Sequence, residues 1–187
     1  MYTNYAVQPI RQLSSVLADI ARDEHRLFSL GDLGGALPRL ERGALTALAG
    51  RAVNAGVLKR VCHGLYCLPK AVPPGVVLYH AAARLRASHF NYLSLESVLS
   101  DAGVISQVPT NWITVMSSGR SHRVRCGDFG SIEFVHTKKR PSDIAAQLTY
   151  DSRCHLWRAS VALALRDMRA ARRNLDLVNW ERVHDPV

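Results

Sequence analysis

Residues 44–69 constrain the fold of this chain more than any other stretch. Residues 44–55 repeat apolar side chains at helical spacing. Gly56 follows as a natural stop, because glycine enters the left-handed conformation that closes a helix at little steric cost. Residues 57–61 read as a strand, Cys62-His63-Gly64 as a tight turn and residues 65–69 as a second strand. Helix, glycine stop, strand, glycine turn, strand is the order of a winged helix-turn-helix. In that unit one helix enters the DNA major groove and the hairpin lies on flanking phosphates.

Upstream, residues 7–26 read as a first helix, with Val7, Ile10, Leu13, Leu17, Ile20 and Ala21 at helical spacing. Ser29 is placed to N-cap a short second helix with Asp32 at its N3 position, and Pro38 ends it. The third helix begins near residues 39–42. On its wheel Ala44, Leu45, Leu48, Ala49 and Ala52 share one side. Arg42, Thr46, Gly50 and Asn54 share the other, with Arg51 at its margin. Taken alone, that outward face is either the solvated side of a core helix or a groove-facing surface. In the second case its small residues admit close approach, while Arg, Thr and Asn bond to base edges. The hairpin that follows favours the second reading. On that hairpin Lys59, Arg60, His63 and Tyr66 are the expected phosphate contacts.

Charge points the same way. The 187 residues carry a net charge of +9, and residues 120–173 hold twelve Lys and Arg against five Asp and Glu. Most of those cations are arginine, whose planar fork suits phosphate and guanine edges. The alternative is a basic surface with no polyanion partner, since excess charge steers encounters without naming a ligand. No run approaches the ~18 apolar residues of a membrane span, so no membrane partner is expected. The first residues have neither a basic start nor an apolar signal core. Cys62, Cys67, Cys126 and Cys154 form no CxxC pair. Together these favour a reducing cytoplasm.

Residues 69–75 hold three prolines and a glycine and read as a linker between a domain over 1–70 and another over 76–187. Helices are expected over 76–87 and 93–102, then β-rich runs at 112–116, 123–125 and 131–136. A long terminal helix is expected over 152–173, with Trp157, Val161, Ala164, Leu165 and Met168 inward. Its Arg158, Arg166, Arg169, Arg172 and Arg173 fall within an arc of roughly 120°. With Lys138, Lys139 and Arg140 they make a basic C-terminal surface, either solvated or facing a polyanion or acidic partner. The expected class is α+β: an N-terminal winged helix and a C-terminal mixed domain with a small antiparallel sheet and helices.

Enzyme signatures are missing from the sequence. No phosphate loop, dinucleotide fingerprint, nucleophile elbow or HExxH is present. Cys62-His63 and Cys154-His155 lack the paired spacing of structural zinc. Glu96 and Asp101 lie about one and a half helical turns apart, which is not acid–base geometry. No enzyme activity, cofactor or metal is expected.

Several stretches resemble the AbiEi family of antitoxins from type IV, abortive-infection toxin–antitoxin systems. They are VCHGLYCLP at 61–69, YLSLESVL at 92–99, GVISQVP at 103–109, ITV at 113–115, Gly119-Arg120 and GSIEFVH at 130–136. In order they span residues 27–173, and the run from 92 to 109 is the most specific. His63 stands where the family often has arginine before the wing glycine, and at neutral pH histidine is largely uncharged. The resemblance implies an N-terminal winged helix that binds inverted repeats in its own promoter, in double-stranded DNA, and represses the operon. It further implies a C-terminal domain that counteracts a co-encoded nucleotidyltransferase-like toxin, with or without direct contact. Two other readings fit the residues: a stand-alone winged-helix regulator, and a module that binds RNA or protein through the basic C-terminal surface.

Overall fold

The computed structural model describes residues 7–21, 27–69, 73–106 and 111–183. The chain divides into two compact units, Met1–Val77 and Leu78–Val187.

In the first unit α1 (Val7–Ile20) is amphipathic and buries Leu13 and Leu17. The sequence expectation extended it to residue 26; it ends at Ile20, and residues 22–26 lie outside the described set. A short strand, β1 (Leu27–Ser29), leads directly into α2 (Leu30–Ala36). Ser29 caps α2 as its sequence position implied: the Asp32 amide donates to Ser29 Oγ at 3.2 Å and the Ser29 amide to Asp32 Oδ2 at 2.7 Å. Such a reciprocal cap contributes about 1 kcal/mol. Next comes α3 (Arg42–Asn54), closed by Gly56 at φ +70°. The hairpin β2 (Lys59–Cys62) and β3 (Leu65–Cys67) turns through Gly64 at φ +71°.

These strands form one antiparallel sheet in the order β1-β3-β2. Phe28, Leu33, Leu48, Leu58 and Tyr66 meet Leu13 and Leu17 in a single core. The hairpin does not alternate buried and exposed residues. A bulge between Arg60 and Cys62 breaks the register, so Val61 and Cys62 are both buried. Leu65, Tyr66 and Cys67 are likewise buried in succession, because β3 is the central strand of its sheet.

The linker expected at 69–75 falls partly on residues 70–72, outside the described set. In the second unit α4 (Val77–Leu85) precedes β4 (Asn91–Leu93), α5 (Leu95–Asp101), β5 (Trp112–Ser117), β6 (His122–Arg125) and β7 (Ser131–His136). Then follow α6 (Pro141–Ile144), β8 (Leu148–Asp151), β9 (Leu156–Ala159), α7 (Val161–Ala170) and α8 (Trp180–Val183). The strands form one six-stranded sheet in the order β6-β7-β5-β4-β9-β8.

Two expectations are corrected here. The sheet is mixed and not purely antiparallel, since β5 pairs with β7 and β4 with β9 in parallel. The helix expected over 152–173 is a strand followed by a shorter helix. His155 at φ +55° turns the chain into β9, and Ser160 caps α7 by accepting from the Leu163 amide at 3.2 Å. The class is mixed α+β.

Buried hydroxyls fasten α5 to the sheet. Thr114 Oγ1 donates to the Ser94 carbonyl at 2.7 Å, and the Thr114 amide donates to Ser97 Oγ at 2.7 Å. These bonds join two stretches that carried the family resemblance, 92–99 and 113–115. α7 packs on α5, and Ser94 Oγ donates to the fully buried Asp167 of α7 at 2.6 Å.

Candidate nucleic-acid interface

Helix α3 has thirteen residues and is about 20 Å long. Leu45, Leu48, Ala49 and Ala52 are its buried side. Ala44, expected among them, is exposed. On the wheel it lies at the rim of the apolar stripe, about 90° from its centre. Arg42, Thr46, Arg51 and Asn54 are all exposed. On the helical wheel Gly43, Ala47, Gly50 and Asn54 form the centre of the outward face, with Arg42 and Thr46 along one flank and Arg51 along the other. Gly43 and Ala47 belong to this face although the sequence reading passed over them. Their wheel positions were the available signal.

Two features distinguish this surface. α3 contains no acidic residue, and among the described residues neither Arg42 nor Arg51 has an ion-pair partner. A Cβ added at Gly43 or Gly50 would meet nothing within 4 Å. Gly50, mid-helix, costs α3 about 1 kcal/mol relative to alanine, and no neighbouring atom lies close enough to require glycine at either position. Thr46 Oγ1 donates to the Arg42 carbonyl at 2.9 Å, which leaves its lone pairs outward as acceptors.

The hairpin carries part of what was expected of it. Arg60 and His63 are exposed and Lys59 is half-buried. The Arg60 guanidinium lies 5.7 Å from the centroid of the Tyr66 ring. Tyr66 itself is corrected: only 3 % exposed, it belongs to the core and not to the hairpin tip. Its strand runs between β1 and β2, so a ring there turns inward. Burial pushes the neighbouring Cys67 thiol up, against the pull of the Lys59 charge.

Half of the expected basic C-terminal surface is neutralised within the chain. Arg158 sits on β9 and not on the helix. It donates to Asp101 Oδ2 at 2.7 Å and reaches Asp151 at 3.7 Å. Burial, the largest single influence, disfavours its charge, but the bond to Asp101 together with the charges of Asp101 and Asp151 offsets this and leaves the guanidinium more basic than usual. Arg173 bridges Glu133 at 2.7 Å and Glu96 at 3.7 Å. Lys139 pairs with Asp167, Arg140 with Asp143, and Arg166 with the Gln147 side-chain oxygen. Arg169 lies 5.8 Å from the Trp180 ring centroid. Lys138 and Arg172 are exposed. The expected arginine stripe therefore breaks up, because residues 152–160 are not helical. Trp157, expected inward, is 45 % exposed for the same reason.

All four cysteines are buried, and none is joined to another by a disulfide. Among the described residues no group of three or more His, Cys, Asp or Glu is placed to hold a metal, and no helix is long and apolar enough to cross a membrane.

No family model matches the chain, and no curated protein matches it. Among solved structures, the crystal structure of the RV2827C protein from Mycobacterium tuberculosis is similar over 88% of this chain, at 17% identity and a TM-score of 0.43. The chain spans 53% of the length of that protein.

Proposed function

We propose that this chain is a winged-helix repressor and antitoxin of the AbiEi type, which binds inverted repeats in its own promoter and counteracts a co-encoded nucleotidyltransferase-like toxin. One observation carries the DNA half: α3 presents a carboxylate-free face, small at its centre, flanked by arginines with no ion-pair partner among the described residues. Small side chains and bare backbone admit base edges, and arginine and asparagine bond to guanine and adenine there. Arg60 and His63 on the adjoining hairpin supply phosphate contacts.

The test is a promoter-DNA titration of the full chain. Arg42→Glu and Arg51→Glu each weaken binding, and wild-type affinity falls steeply with salt as condensed counterions are released. Unchanged affinity in both variants overturns this docking. The antitoxin half rests on the family resemblance, and co-expression with a neighbouring nucleotidyltransferase-like toxin tests it. Restored growth supports the antitoxin, whereas DNA binding without rescue leaves a stand-alone regulator. The pairing of Arg158, Arg173, Lys139 and Arg140 with carboxylates weighs against the third reading, a polyanion-binding C-terminal surface. A cytoplasmic location, without cofactor or catalysis, goes with this proposal.

A further inference from the structure

The six-stranded sheet ends on β8, and its surface changes character there. Tyr150 on β8 and Trp157 on β9 are register partners. Their rings meet edge to face, with centroids 5.4 Å apart and planes at 67°. Both remain about half in solvent, although the same sheet buries Tyr92 and Phe134 almost completely. Beside them lies a pocket of about 240 Å³, bordered also by the rings of His89, Phe90 and His155 and floored by the small side chains Ala83 and Ala87.

Size, charge and hydrogen bonding narrow what fits. The volume is below the roughly 300–1,000 Å³ of a pocket that encloses a whole small molecule, so it suits one planar ring system. Aromatic cages of this kind also hold organic cations, but no carboxylate lines this one and the chain is strongly basic. Asn91, in the pocket wall, is nine-tenths buried. It donates through Nδ2 to the carbonyls of Arg86 at 2.6 Å and His89 at 2.7 Å, and its Oδ1 has no donor. Near the pocket the Arg153 carbonyl lies 2.8 Å from Nε2 of His80, whose ring packs on the pocket-lining His155; the Arg153 side chain is 83% exposed, with its Nε 3.6 Å from Asp151 Oδ1.

We propose that this pocket stacks one unpaired nucleobase of a nucleotide against Trp157 and Tyr150, with the nearby Arg153 facing its phosphate. The base comes either from a free mononucleotide or from a single strand, and both present the same chemistry. The full chain is titrated by calorimetry with AMP, with a short single-stranded oligoadenylate, and with ribose 5-phosphate as the base-free control. AMP or the oligoadenylate binds saturably and ribose 5-phosphate does not. Trp157→Ala weakens the binding about tenfold, the scale of one base–aromatic stack. Arg42→Glu leaves it unchanged, which separates this site from the duplex contact of α3. Tighter binding of the oligoadenylate identifies a strand as the source, and equal affinity identifies the free nucleotide. Absence of saturable binding by either ligand overturns the proposal. So does undiminished affinity in Trp157→Ala and Tyr150→Ala, whose thermal unfolding reports that both surface variants still fold.

Discussion

Lys139 donates to Oδ1 of Asp167, a carboxylate with no exposure to solvent that also accepts from Ser94 Oγ. The pair ties the loop after β7 to α7. Lys139→Met leaves the carboxylate buried without its cation. The expected loss is about 3 kcal/mol, the lower end of the range for breaking a buried pair. The lower end applies because Lys139 keeps 31% of its side chain in solvent. Urea denaturation measures it, and Lys139→Met combined with Asp167→Leu recovers most of the loss. A single variant as stable as the parent would show that the carboxylate needs no counter-charge.

Cys154 gives a pH-dependent prediction. Burial pushes its thiol up to about 11 from the ordinary thiol value of 9.0, with the Asp151 carboxylate adding to the effect. A group whose pKa is higher in the folded state favours folding only while protonated in both states. Its contribution is therefore complete below about pH 9 and fades as pH rises towards about 11. The denaturation midpoint should fall over that window, and Cys154→Ala should flatten the fall. Thiol labelling of the folded protein at pH 8.5 should leave Cys154 unreacted.

Tyr66 separates core from contact. Tyr66→Ala opens the N-terminal core and should cost about 3–5 kcal/mol. Tyr66→Phe keeps the ring and should leave promoter affinity and its salt dependence unchanged, because the residue does not reach the hairpin tip. A weaker promoter affinity in Tyr66→Phe would restore the phosphate contact that the sequence suggested.

Gly50 sits mid-helix with open space before it. Gly50→Ala should raise stability by about 0.5–1 kcal/mol through helix propensity alone. Gly50→Gln should keep most of that gain yet weaken promoter binding at least tenfold, since a long side chain would stand between the helix backbone and the base edges. Equal affinity in both variants would leave the glycine without a role in docking.

Where a strong local signal existed, the sequence was legible. Ser29 with Asp32, Gly56 and Gly64 each set a cap or turn by their own chemistry, and all three stand where expected. The strands at 112–116 and 131–136 carried β-branched and aromatic runs that no other element accommodates. β1 and β4 have three residues each, too few for alternation to emerge. Residues 152–173 misled because Trp157 and Arg158 continue the helical spacing of α7 by coincidence. The reversal at His155 and the cap at Ser160 depend on tertiary placement. At the candidate interface, helical periodicity placed Arg42, Thr46, Arg51 and Asn54 on the surface. Tyr66 was misassigned because its burial follows from β1, a neighbour that periodicity did not reveal. The ion pairs of Arg158 and Arg173 join residues 57 and 77 positions apart in the chain, beyond the reach of any local pattern.

The position of β4 has a consequence for biosynthesis. Its three residues bond to β5 on one side and, through Tyr92 and Leu93, to Trp157 and Arg158 of β9 on the other. A nascent chain that stops short of β9 exposes one flank of β4, with its amides and carbonyls open to any passing strand. Messages cut upstream of the β9 codons should therefore yield sticky, protease-sensitive fragments, and the ribosome must deliver the chain through β9 before the centre of this sheet can close.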